Sequence, residues 1–95
     1  MPEVRFVVRW PDASTDDCYS PSTAIKEHLD AGTPYALAEF LARSRSGLTA
    51  ASERVRAKYG FACSSAMDQL ARIERRAAAF QDDCEAVVRV ERFLS

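Results

Sequence analysis

The chain has 95 residues, 47% of them apolar and 28% charged, with a formal net charge of −1, values that exclude a disordered class. No apolar run approaches the roughly 20 residues of a membrane-spanning helix. By length the sequence is one domain, residues 1–95, able to bury only about 60 to 65% of its unfolded surface.

Val4, Phe6, Val8 and Trp10 alternate with Glu3, Arg5, Val7 and Arg9, the period of two that marks a half-buried strand from about 3 to 10. Pro11-Asp12-Ala13-Ser14 follows as a tight turn. Thr15 to Tyr19 then reads as a short returning strand, and Asp16 and Asp17 suit an edge position where charge discourages pairing with other molecules. Ser20-Pro21-Ser22 has the cap and first-turn proline of a helix start, with Ile25 and Leu29 on one face and Gly32 as terminator. Thr33-Pro34 repeats the device and opens a long helix with Tyr35 in its first turn.

Leu37, Leu41, Ser44, Leu48, Ala51 and Val55 step by four and three along that helix, with Phe40 beside them. Ala66, Leu70, Ile73, Ala77 and Phe80 repeat the stepping after a hinge at Lys58 to Ser64. Gly60 supplies the left-handed stop, Arg56 and Lys58 complement the helix dipole, and Ser65 with Asp68 has capping-box spacing, so the next helix starts at Ser64 or Ser65. Within the long helix Gly47 is the weak point, since an interior glycine costs about 1 kcal/mol relative to alanine. Close approach of another backbone, a kink, or a break before Thr49 would each account for it. Glu85 to Phe93 reads as the last strand, with Val88 and Val90 on one face and Val87 and Phe93 on the other.

The expected architecture is α+β in the order β-β-α-α-α-β: a small three-stranded antiparallel sheet, covered on one face by a long helical hairpin. Its second face would expose Val7, Val87 and Phe93, which predicts a homodimer that buries them. Charge is divided along the chain. Residues 1–42 hold three Lys/Arg against seven Asp/Glu, residues 43–76 eight against three, and residues 77–95 two against four.

Chemistry has few places to sit. Cys18-Tyr19-Ser20-Pro21-Ser22 runs from a strand into a helix start, where free backbone N–H groups favour anions and lower a thiol's pKa. The only histidine, His28, lies about 9 Å further along that helix, too far to serve Cys18 as a base. Ser20 as an ordinary cap and Cys18 as a small buried residue is the plainer reading. Cys18, Cys63, Cys84 and His28 lack the spacing of metal ligands, no glycine loop cradles a phosphate, and no cofactor is implied. Arg43, Arg54 and Lys58 on one helix and Arg72, Arg75 and Arg76 on the next give nucleic acid a basic surface, but a pI near 5.8 argues against that use. Three cysteines in unrelated settings, and an N-terminus without the zones of a signal peptide, predict a cytoplasmic location.

Three separated stretches, Arg5 to Asp12, Cys18 to Ser22 and Ala51 to Cys63, resemble the small nitrogen-starvation-response proteins that accompany a nitrilase in a bacterial gene cluster. The resemblance implies companions rather than an activity: a nitrilase, a radical-SAM protein, an acetyltransferase-like protein and a flavoprotein of nitrogen or nitrile metabolism. It carries over no catalytic residue. Ala13 stands where that pattern has a glycine, which leaves the type of the first turn open.

Together these features point to a non-catalytic accessory protein, a homodimer in contact with an enzyme of nitrogen or nitrile metabolism. Arg9, Trp10, Cys18, Tyr19, Ser20, Ser22, Arg54 and Tyr59 are the candidate contact surface or pocket. A small anion-binding protein or enzyme using Cys18, and a nucleic-acid module using the basic hairpin, are the alternatives.

Overall fold

The computed structural model describes residues 3–60, 64–83 and 85–94. Its elements are β1 (Val4–Arg9), β2 (Thr15–Ser20), a 3-10 turn (Thr23–Glu27), β3 (Pro34–Ala36), α1 (Leu37–Tyr59), α2 (Ser64–Ala78) and β4 (Val87–Leu94). The strands form one antiparallel sheet in the order β2-β1-β4-β3, with α1 and α2 packed on one face of it. The sheet therefore has four strands, where the sequence suggests three.

The additional strand comes from the segment read as a helix start. Pro34 sits on an edge strand, where its missing N–H is not needed, and Tyr35 pairs with Val88. The Gly32 N–H donates to the Val90 carbonyl at 2.7 Å and the Leu37 N–H to the Ala86 carbonyl at 3.2 Å, which ties the entry of α1 to β4. Upstream, the expected helix from Ser20 to Gly32 is only the five-residue 3-10 turn. Ser20 is the last residue of β2. Ser22 is the cap, its hydroxyl accepting from the Ala24 N–H at 3.0 Å, while the Ser20 hydroxyl donates to the Ser22 carbonyl at 2.7 Å. Two fully buried side chains, Ile25 and Leu29, suffice to pin so short a turn against the core.

The same turn explains Gly47. The helix α1 runs through it without a break, and a Cβ built there would lie 2.5 Å from Ile25 Cδ1 and 3.4 Å from Ile25 Cα. The glycine admits the 3-10 turn against the helix. One turn earlier Ser44 is fully buried, its hydroxyl without a hydrogen-bond partner among the described residues. At its C-terminus α1 stops at Gly60, with φ 82° and an N–H donating to the Arg56 carbonyl at 2.8 Å. The antiparallel α2 places Ala66, Leu70, Ile73 and Ala77 in the core. Burial of a side chain such as Ile73 contributes about 1.5–3 kcal/mol. The hinge residues Phe61, Ala62 and Cys63, and the thiol of Cys84, lie outside the described residues.

A bulge corrects the assignment of faces in β4. Val8 pairs with Val90 but Val7 with Arg92, so Glu91 is the extra residue, and an extra residue shifts every later side chain to the other face. Phe93 thus lies on the core side opposite Phe6, ring centroids 6.0 Å apart. The second face is not the apolar surface expected from the sequence. Alternation puts Arg5, Arg9, Asp17, Arg89 and Arg92 there. Val7 is buried, and Val87 and Leu94, 44% and 45% exposed, are the large apolar residues left on it.

Candidate functional site

Polar groups converge where the edge strand β2 meets α2. The loop entering β2 is closed by the Trp10 N–H donating to the Ser14 carbonyl at 2.8 Å and the Ala13 N–H to the Trp10 carbonyl at 2.9 Å. Ala13 adopts φ 71°, a left-handed conformation that suits glycine better. Asp12 accepts from the Ser14 hydroxyl and from its N–H, and these bonds, the hydroxyl first, hold the Asp12 carboxyl below its ordinary value.

Asp16 is the hub of the site. One of its oxygens accepts from the Trp10 indole N–H at 2.8 Å and from Arg76 Nε at 2.7 Å, and Arg76 also donates to the Ser14 hydroxyl. The Arg76 guanidinium lies 5.4 Å from the indole centroid. Trp10 itself is core, stacked on Phe80 and edge-on to Phe40. These contacts clamp the loop and strand to α2, and they leave beside them a groove of about 360 Å³ whose walls include Cys18, Gln69, Arg72, Ile73 and Arg75. Buried Gln69 accepts the Tyr19 N–H at 3.1 Å, so one outward-facing amide of the edge strand is capped by a helix side chain.

Cys18 faces this groove but is only 3% exposed. Its thiol is pushed up to about 12, by burial first and then by the charges of Asp16 and Asp17, with Arg72 acting in the opposite sense. A nucleophile needs the thiolate. The environment thus disarms the sulfur, the reverse of what a helix start would do.

Of the other residues singled out in the sequence, Ser20 is buried at the end of β2 and Ser22 in the connection after it, and Tyr19 contributes its backbone N–H. Arg9 is on the opposite face of the sheet, paired with Glu91. Arg54 pairs with Glu27 at 3.1 Å, and Tyr59, half exposed at the end of α1, lies 5.8 Å from the Lys58 ammonium. The structure brings Trp10, Cys18 and the Tyr19 backbone together and scatters the rest. Gln69 carried a faint signal, a polar residue inside the apolar stripe of α2. Asp16 as a hub carried none, because its partners are distant in sequence.

A family model described as nitrogen starvation-induced protein NitG matches residues 5–93. The chain belongs to the NitG family. No curated protein and no solved structure matches it.

In this NitG chain half of the basic hairpin is neutralised: four of the eight cations in residues 43–76 are in ion pairs with described residues. Arg43 pairs with Glu39 at 3.1 Å and donates to the His28 carbonyl, Arg45 pairs with Glu74 at 3.3 Å, and Arg54 and Arg76 are engaged as described. Exposed pairs of this kind contribute about 0–1 kcal/mol each, but they remove charge from a phosphate-binding surface. Arg5, Arg56, Arg72, Arg75, Arg89 and Arg92 have no carboxylate partner among the described residues. Among the described residues no cluster of three His, Cys, Asp or Glu could hold a metal ion, and no helix is long and apolar enough to cross a membrane.

Proposed function

We propose that this NitG protein is a non-catalytic accessory protein of the response to nitrogen starvation, acting through contact between its open sheet face and an acidic surface on an enzyme of nitrogen or nitrile metabolism. The observation that carries the reading is the distribution of unpaired cations. Arg5, Arg89 and Arg92 stand on the face that no described element covers, beside exposed Val87 and Leu94. Cations interspersed with apolar area are the composition of a docking surface for a partner of opposite charge. The raised Cys18 thiol supports the non-catalytic half of the reading.

The homodimer belongs to the proposal on narrower ground than the sequence gives it, since among the described residues Val87 and Leu94 are the exposed large aliphatic side chains on that face. Light scattering at micromolar concentration measures the mass directly: about twice 10.6 kDa supports it and 10.6 kDa ends it.

The contact is tested by capture from nitrogen-starved cells with tagged wild-type protein and with an R5E/R92E variant. Recovery of an identified nitrogen- or nitrile-metabolising enzyme, lost in the variant and weakened by salt, is the expected result. Recovery of the bait alone, or equal recovery by both proteins, overturns the contact.

A further inference from the structure

Eleven arginines stud this small chain, and among the described residues five of them are held in ion pairs. Arg72 and Arg75 are not. They stand three residues apart on α2, the spacing that puts side chains on one helix face, and both line the groove between α2 and β2. Arg76 beside them is committed to Asp16 and Ser14.

Two further donors belong to residues that line the same groove. The Gln69 carboxamide is fixed by its oxygen on the Tyr19 N–H, which leaves its NH₂ as the uncommitted end of a side chain only 8% exposed that lines the same groove. Because successive backbone amides of a strand alternate in direction, the Asp17 N–H leaves the free edge of β2 on the same side as the Tyr19 N–H. Two residues that line the groove, Asp16 and Asp17, carry carboxylates. Asp16 is neutralised by Arg76, the Asp17 carboxylate is turned to the other face opposite Val7, and the Cys18 thiol keeps its proton. The floor is apolar, with Ile73 1% exposed and Trp10 2% exposed, which strengthens any hydrogen bond made above it.

We propose that the groove between β2 and α2 binds a small dianion, a dicarboxylate or a phosphate, gripped by Arg72 and Arg75 and oriented by the Gln69 carboxamide and the Asp17 amide. Two free guanidiniums match two negative charges, and the guanidinium fork fits both carboxylate and phosphate oxygens. A volume of about 360 Å³ is that of a small-metabolite site. The groove is separate from the open sheet face, so this site does not depend on the enzyme contact proposed there.

The test is thermal unfolding and calorimetric titration of the full chain with succinate and with inorganic phosphate, each against sodium chloride of matched ionic strength. The expected result is a saturable rise of several degrees in Tm with one of the two anions, accompanied by a shift of the Asp17 amide resonance. Response to succinate alone assigns a dicarboxylate, and response to phosphate alone assigns a phosphate. In the R72Q/R75Q variant affinity falls at least tenfold, while the R56Q control, an exposed arginine of α1 outside the groove, binds as wild type. Should the double variant not fold, R72Q and R75Q singly make the same comparison. No saturable shift with either anion, or an equal shift in the variants, overturns the assignment without touching the outcome of the capture experiment.

Discussion

Replacing Gly47 by alanine sets two physical effects against each other. Helix propensity alone favours the change by about 1 kcal/mol, because Gly47 lies inside a 23-residue helix and alanine restricts the unfolded chain. Packing opposes it. The added methyl would lie 2.5 Å from Ile25 Cδ1 and 3.3 Å from His28 Cβ, and Ile25 is fully buried, so its terminal methyl has nowhere to retreat. Overpacking of this kind costs about 1–3 kcal/mol. The expected balance is a loss of about 1 kcal/mol, a fall in Tm of roughly 4–8 °C for a domain of this size. Urea unfolding of Gly47→Ala, Ile25→Val and the double variant separates the contributions. Ile25→Val removes the clashing methyl and by itself costs about 0.5–1.5 kcal/mol. In the double variant the alanine should then be neutral or stabilising, a coupling of about 1 kcal/mol or more. A Gly47→Ala protein more stable than wild type, or two losses that simply add, would refute the claim that this glycine exists to admit the 3-10 turn.

Other residues offer independent checks. Ala13 is held at φ 71°, and a left-handed alanine costs about 1–2 kcal/mol, so Ala13→Gly should raise stability by about 0.5 kcal/mol after the extra freedom of the unfolded chain is counted; a destabilised variant would contradict the turn geometry. Cys18, with its thiol raised from 9.0 to about 12, should resist iodoacetamide at pH 7.5 by about a thousandfold through ionisation alone, and peptide mapping reads this directly. The sign of the linked pH effect follows from that upward shift. A group whose pKa is raised on folding stabilises fully below its unfolded value, so the Cys18 contribution should be intact below pH 9.0 and disappear as pH rises towards 12. Comparison with Cys18→Ala isolates it, and identical alkaline profiles would show that the thiol is not desolvated. Phe93→Ala should cost about 2 kcal/mol or more, whereas Val87→Ala should stay within about 0.5 kcal/mol. Equal losses in chemical denaturation would mean that the bulge at Glu91 is misplaced.

The amino-acid sequence by itself determined the parts of this protein whose signals are local. The alternation from Val4 to Trp10, the four-and-three stepping of α1 and α2, the left-handed stop at Gly60 and the start of α2 at Ser64 are properties of single segments, and each recurs where the pattern places it. Membership of a nitrogen-starvation family was likewise legible, in three stretches that now fall within one family match over residues 5–93. What only the tertiary structure decided are features that two segments make together. Pro34 reads equally as the first residue of a helix or of an edge strand, and its pairing with β4 chose the strand. The bulge at Glu91 exists only in register with Val7 and Val8, and it moved Phe93 into the core and with it most of the apolar case for a second copy. Asp16 and Arg76 are 60 residues apart, and Tyr19 and Gln69 are 50 apart. No periodicity in one stretch can announce a contact set by the docking of a helix on a strand edge, so the groove became visible only once α2 lay beside β2.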